Sequence, residues 1–215
     1  MQNNAAIVDY LKRGIYQGVI FDLDGTLIDS EHVTDEILKA WCNKHALDFK
    51  FVKNISFGSH IEHLLPQIAP ALNARTEAHY IEQQELNSSV YTPAIPGAID
   101  LLKWLDKQDI PWGIATSCPQ KLAVKRLNSA CLPYPSVFIT RENYQDAKPS
   151  PECFFLAAKQ LHVNINRCLI FEDSNNGIEA GLASGASVVA VNNSTSKHND
   201  QCLHIRHYTE LTFEK

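Results

Sequence analysis

Short apolar runs recur along the chain, and each stops at a small or polar residue. They are Gly18-Val-Ile-Phe-Asp22, Trp112-Gly-Ile-Ala-Thr116, Val137-Phe-Ile-Thr140, Cys168-Leu-Ile-Phe-Glu172 and Ser187-Val-Val-Ala-Val191. Runs of this length without polar alternation predict strands buried on both faces, as in a parallel sheet. Between them the apolar positions change to helical spacing. Ala98, Leu101, Leu102 and Leu105 form one stripe, and Phe154, Phe155, Ala158 and Leu161 another. Beyond about residue 97 strand and helix alternate. That alternation predicts a doubly wound α/β structure.

The chain between about Val33 and Ala94 breaks the alternation. It reads as three or four helices, among them Val33–His45, Ile61–Ile68 and Thr76–Ser89, with no buried strand pattern. Pro93, Pro96 and Gly97 then punctuate the return to the α/β pattern. The expected organisation is a Rossmann-like parallel-sheet core from residues 1–30 and 96–215, with an all-helical cap inserted at 31–95. Hinges are expected at Asp29–His32 and Ala94–Gly97. The first fourteen residues read as a short amphipathic helix ending at Gly14, and polar Asn192–Asp200 as a loop.

Length and composition narrow the function classes. A chain of 215 residues suits one domain with a modest insertion. At that length roughly 70% of the unfolded surface is buried, enough for a core without staples. Nineteen basic against twenty-four acidic residues give a net charge of −5. That balance argues against a sequence-independent grip on nucleic acid or an anionic membrane. The longest apolar run, Cys153 to Ala158, is far too short to span a bilayer. Met1 to Ala6 is polar and then mixed, unlike a secretory leader. The six cysteines contain no C-x-x-C pair, so reduced thiols in a cytoplasmic protein are expected. His60 and His63 share a helix face, but no matching cluster supports a zinc site.

The chemistry gathers at the ends of the predicted strands. Asp22 and Asp24, alternate residues on an extended segment, can face one site before Gly25 turns the chain. An N-cap and turn is the structural alternative for this pair. Thr116-Ser117 closes the second strand with hydroxyls and backbone N–H groups, a potential phosphate cradle or a commonplace turn. Lys148 places a cation before a helix, where a solvated surface charge is the alternative. Glu172-Asp173-Ser174 ends the fourth strand with two acids, suited to a hard cation such as Mg²⁺ or to N-capping.

These four features, in this order, resemble the haloacid-dehalogenase-like phosphohydrolases, and within them the helically capped sugar phosphatases and β-phosphoglucomutases. The matching phrases are Asp22-Leu-Asp-Gly-Thr-Leu-Ile-Asp-Ser-Glu31, Pro96-Gly97, Ile114-Ala-Thr-Ser-Cys-Pro119, Lys148-Pro-Ser-Pro-Glu152 and Phe171-Glu-Asp-Ser-Asn-Asn-Gly177. The resemblance runs from about Gly18 to Val191, excluding most of the cap. It implies Asp22 as nucleophile, forming an aspartyl-phosphate, and Asp24 as general acid and then base. It also implies Mg²⁺ held by Asp22, the Asp24 backbone carbonyl and Asp173, with Glu172 as ligand or support. Lys148 would bridge nucleophile and phosphate, while Thr116 and the Ser117 N–H bind the transferring oxygens.

Departures from the resemblance separate the reactions. The related phosphoglucomutases carry a His twelve residues after the nucleophile, where this chain has Thr34. The cap loop Phe57-Gly58-Ser59-His60 lacks their Arg. Hydrolysis of a small phosphate monoester, a sugar phosphate first of all, is therefore expected ahead of a phosphomutase. A catalytically silent phosphate-binding module is the second alternative. Glu31, Gly58, Ser59, His60 and Gln120 are candidate substrate contacts, and a monomer is expected.

Overall fold

The computed structural model describes residues 5–56, 61–192 and 198–213. Its centre is a six-stranded sheet in the order β3-β2-β1-β4-β5-β6. The strands are β1 (Gly18–Phe21), β2 (Trp112–Ala115), β3 (Val137–Ile139), β4 (Cys168–Glu172), β5 (Ser187–Val191) and β6 (Leu203–Ile205). Every pairing is parallel. β1 and β4 are buried along their whole length, which accounts for the unalternating apolar runs.

Helices cover both faces. Beside α1 (Ala5–Lys12), α6 (Ala98–Lys107) and α7 (Gln120–Ser129), one apolar cluster includes Leu11, Leu101, Trp104 and Leu127. The opposite cluster gathers Phe154, Ala158 and Ile178 from α8 (Glu152–Gln160) and α9 (Asn175–Ala183). Trp104 and Trp112 are both buried, as their place in the α/β layers predicts. Phe21 stacks on Phe171 at 5.0 Å across β1 and β4, and Tyr208 packs against both rings.

β6 was not visible in the sequence pattern. Two of its three residues are half-exposed at the sheet edge, so no continuous apolar run marks it. Among the described residues no helix is long and apolar enough to cross a membrane.

Between β1 and α6 lie α2 (Glu31–Lys44), α3 (Phe49–Ser56), α4 (Ile61–Ile68) and α5 (Ala74–Asn87). Their apolar sides meet in a separate small cluster around Trp41, Cys42, Val52 and Leu65. Inside it, Glu77 accepts from Trp41 Nε1 at 2.8 Å, with His45 Nε2 at 3.1 Å. The Trp41 hydrogen bond holds the Glu77 carboxyl below its ordinary range. Tyr80 lies outside this cluster and is exposed, with the Lys44 ammonium 4.3 Å above its ring.

The two chain crossings between this helical segment and the sheet are paired with each other. Asp29 N–H donates to the Pro93 carbonyl at 2.8 Å, and Ile95 N–H to the Leu27 carbonyl at 2.9 Å. The C-terminus of α5 is also anchored. Lys125 Nζ, on α7, donates to the carbonyls of Glu85 (2.7 Å), Leu86 (2.9 Å) and Ser88 (2.5 Å). A cation there satisfies carbonyls that have no partner inside the helix and complements its dipole.

Candidate active site

β1 is the point at which the strand order turns: β2 and β3 follow on one side, β4 to β6 on the other. In open parallel sheets the crevice at the carboxyl ends beside such a point is where ligands bind. The register pairs Phe21 with Ile114 of β2 and with Phe171 of β4. The register therefore sets Asp22 level with Ala115 and Glu172, and Thr116 and Asp173 follow one residue later.

Lys148 lies at the centre of this cluster. Its Nζ donates to Asp22 Oδ1 at 2.6 Å, Glu172 Oε1 at 2.7 Å and the Ala115 carbonyl at 3.2 Å. All three ammonium hydrogens are committed, and the side chain is only 2% exposed. Burial opposes its charge, but Asp22 and Glu172 outweigh that and hold the ammonium well above its ordinary value. The solvated-charge reading of this lysine is thereby excluded.

Glu172 is fixed on its other oxygen by the Ser174 N–H at 2.8 Å and the Ser174 hydroxyl at 3.0 Å. A Cβ on Gly177 would sit 1.7 Å from Glu172 Oε1, so only glycine lets the start of α9 lie against this carboxylate. Gly25, at φ +77°, plays a similar part for Asp173, whose Oδ2 would be 2.0 Å from an added Cβ. Asp173 Oδ1 accepts from Thr26 Oγ1 at 3.0 Å, and the Thr26 carbonyl accepts from buried Tyr208 at 3.1 Å. Ser174 caps α9 through the Gly177 N–H at 3.0 Å, so the predicted N-cap exists beside the acids.

Two carboxylates, Asp22 and Glu172, thus share one ammonium. Burial first, and then Glu172 and Asp24 against the pull of Lys148, push Asp22 from 3.8 up to about 7. Burial, Glu172 and Asp22 likewise raise Asp173 well above its ordinary value. Such a surplus of buried negative charge fits a divalent cation. Among the described residues no three His, Cys, Asp or Glu side chains form a metal-holding group. A Mg²⁺ ion does not require one, since it keeps several waters and takes one or two carboxylates. Asp22 and Asp173 can supply those, whereas Glu172 is already bonded to Lys148 and Ser174.

The raised Asp22 makes a prediction for the metal-free protein. Native Asp22 holds a proton that the unfolded chain has released between pH 3.8 and about 7, so stability falls as pH rises through this window. Melting temperatures in EDTA should decline from pH 5 to 7, and Asp22→Asn should make the decline shallower. A melting temperature that rises over this window contradicts the charge assignment.

The other candidates are placed as follows. Thr116 is buried, and its Oγ1 accepts from the Cys118 N–H at 3.1 Å, leaving its own hydrogen to donate. Tyr144, which sequence reasoning missed, donates to the Thr116 carbonyl at 3.2 Å and lies 3.4 Å from Ser117 Oγ. Gln120 is exposed at the start of α7, its N–H bonded to Glu142 at 3.1 Å. Glu31 pairs with Lys53 at 2.8 Å, and Lys53 also bonds Asp35. Gly58, Ser59 and His60 lie outside the described residues.

Asp24 has two partners, Ser30 and Arg126. Arg126 also was missed, although a signal exists. It interrupts the apolar stripe of Leu122, Ala123 and Leu127 on α7, where a charged side chain needs an explanation.

A parallel sheet with convergent carboxylates, a buried lysine and a hydroxyl-bearing turn at its switch point has the groups needed to hold and neutralise a phosphate ester. Residues 19–191 match the haloacid dehalogenase-like hydrolase family. The chain belongs to that family. It is 33% identical over 205 residues to hexitol phosphatase A of Escherichia coli (strain K12), covering 93% of this chain and 94% of that one. It is 27% identical over 176 residues to a phosphorylated carbohydrates phosphatase of Thermotoga maritima, with 79% and 82% covered. With these relatives and this site, the chain is a phosphoric monoester hydrolase. Among solved structures, a hydrolase from Pseudomonas syringae matches with a TM-score of 0.74 at 25% identity, covering 89% of this chain and 93% of that one. β-Phosphoglucomutase from Clostridium difficile shares the fold, with a TM-score of 0.74 at 22% identity and 92% and 94% covered.

Proposed function

We propose that the chain is a Mg²⁺-dependent phosphatase of phosphorylated carbohydrates that works through an aspartyl-phosphate on Asp22. The observation that carries the reading is the Lys148 ammonium bonded to one oxygen of Asp22 at the switch point of the sheet. The similarity to hexitol phosphatase A and to the phosphorylated carbohydrates phosphatase supports the substrate class.

In this reading Lys148 takes Oδ1 of Asp22, and Oδ2 attacks phosphorus. The bond to the leaving oxygen breaks as the Asp22 Oδ2–P bond forms, and Asp24 gives that oxygen its proton. Asp24 then takes a proton from water as the water oxygen attacks phosphorus, and the P–O bond to Asp22 breaks. The Thr116 hydroxyl and the Ser117 N–H hold the phosphoryl oxygens. Lys148 neutralises charge that would otherwise repel the carboxylate. Asp22, the Asp24 carbonyl and Asp173 would hold Mg²⁺, which supplies further charge neutralisation on the phosphoryl group. Glu172 orients Lys148 from beneath. The helices α2 to α5 act as the cap over this site, with residues 31–95 as its extent.

Hydrolysis is preferred to mutase chemistry because Thr34 spends its hydroxyl on its own helix, bonded to the carbonyls of Glu31 at 2.9 Å and Ser30 at 3.3 Å. No imidazole stands at that position to protect a phosphoaspartate between substrates.

The test is phosphate release from a panel of hexitol and hexose phosphates, in Mg²⁺ and in EDTA. Release in Mg²⁺ that EDTA suppresses by ~100-fold or more is expected. Undiminished release in EDTA would remove the metal from the account, and sugar-phosphate interconversion without free phosphate would favour the mutase.

A further inference from the structure

Arg126 occupies a costly place. It shares the apolar face of α7 with Leu122, Ala123 and Leu127 and is itself only 6% exposed. A guanidinium taken from water is tolerated there only where its donors meet acceptors. Nη1 donates to Asp24 Oδ2 at 2.5 Å and lies 3.5 Å from Cys118 Sγ, and Nη2 donates to Glu85 Oε1 at 3.1 Å. Asp24 Oδ1 accepts from Ser30 Oγ at 2.7 Å. Both oxygens of this carboxylate are therefore tethered, one by a core helix and one by the residue that precedes α2.

The second partner of Arg126 comes from a different part of the chain. Glu85 is in the last turn of α5, the same turn whose carbonyls Lys125 holds. Two consecutive residues of α7 thus grip the end of one helix, Lys125 by its backbone and Arg126 by a side chain. Glu85 is 14% exposed at its side chain, so its charge is not dissipated by solvent. Seating α5 on α7 fixes Arg126, and Arg126 fixes one oxygen of Asp24.

We propose that Arg126 is a positioning residue for Asp24, held in place by Glu85, so that the docking of α5 on α7 sets the orientation of the proton-transferring carboxylate. The inference rests on the reading of Asp24 as general acid and base given above. A carboxyl group acting in that role must reach the leaving oxygen within hydrogen-bond distance, and a side chain free to rotate spends little time there. A tether on each oxygen removes the rotation. Arg126 touches neither substrate nor phosphorus in this account.

The experiment compares two esters that differ in their need for a proton. A sugar phosphate expels an alkoxide and requires the acid, whereas 4-nitrophenyl phosphate expels a stable phenolate and does not. The readout is kcat/KM, which covers steps only as far as phosphorylation of Asp22. Arg126→Leu should lower kcat/KM for glucitol 6-phosphate by ~100-fold and for the aryl ester by less than ~10-fold. Asp24→Asn should show the same split with a larger loss, and adding Arg126→Leu to Asp24→Asn should cost little more. Arg126→Lys keeps the charge without the planar fork and should fall between wild type and Arg126→Leu.

Loss of Arg126 alone leaves Glu85 unpaired and destabilises the protein for reasons unrelated to catalysis. The paired change Arg126→Leu with Glu85→Leu removes both charges from the junction. It should recover melting temperature relative to Arg126→Leu while keeping the split between the esters. Equal losses on both esters, or full additivity with Asp24→Asn, overturn the inference while wild-type turnover leaves the phosphatase reading standing. Absence of release from either ester by the wild type overturns the phosphatase reading and this inference with it.

Discussion

Replacing Asp22 with Asn should abolish phosphate release, by roughly 10⁴-fold or more, and leave the fold intact. The amide has the shape of the carboxylate but cannot form the covalent bond to phosphorus. Its effect on stability should run the other way. Asp22 is one of two carboxylates that share the Lys148 ammonium, and burial has pushed it up to about 7. An uncharged side chain at this position relieves that crowding, and Lys148 keeps Glu172 as its partner at 2.7 Å. The metal-free Asn variant should therefore melt at or above the wild-type temperature at pH 8. Calorimetry in EDTA beside a phosphate-release assay checks both halves. A variant that melts far below wild type would show that Asp22 serves structure rather than chemistry.

Lys148→Met should fail in both respects. Methionine fills a similar volume, so the loss is one of charge. Asp22 and Glu172 would then face each other in a buried site with no cation between them. Breaking a buried pair by removing one partner costs about 3–5 kcal/mol. For a chain of this size each kcal/mol lowers the melting temperature by roughly 2–4 °C, which places the metal-free variant about 10 °C below wild type. Turnover should drop by ~10²–10³-fold, the usual loss when one donor that stabilises transition-state charge is removed. Adding Asp22→Asn to Lys148→Met should restore part of the stability and none of the activity. Equal melting temperatures for Lys148→Met and wild type would contradict the buried-charge account of this site.

The sheet was legible because burial on both faces writes itself into uninterrupted apolar runs, and β1, β2, β4 and β5 lie where those runs stand. Helix limits moved by a few residues: the stripe placed at Val33–His45 is α2 from Glu31 to Lys44, and Thr76–Ser89 is α5 from Ala74 to Asn87. The edge strand β6 is three residues long and half-exposed, and nothing in its composition separates it from a loop. Phosphate-ester chemistry was legible for a related reason. The Asp22, Thr116 and Glu172 motifs each close a strand, and parallel strands deliver their C-terminal residues to one edge; Lys148 reaches that edge from the loop before α8.

What stayed hidden depends on contacts far apart in sequence. Arg126 meets Glu85 across 41 positions and Asp24 across 102, and no local pattern encodes either meeting. The choice between ligand and support for Glu172 was equally closed to sequence, since it turns on bonds to Lys148 and Ser174. Gly25 and Gly177 read as turn residues, yet each also stands where a carboxylate leaves no room for a Cβ.

In the proposed reaction the phosphoryl group passes through Asp22, and the covalent intermediate can be trapped. The protein would be mixed with ³²P-labelled glucitol 6-phosphate in Mg²⁺, quenched in acid during turnover and digested. Label should appear on the peptide that contains Asp22, disappear at the turnover rate when unlabelled substrate is added, and be absent from Asp22→Asn. Sustained phosphate release with no label on that peptide, and with turnover retained in Asp22→Asn, would contradict the account.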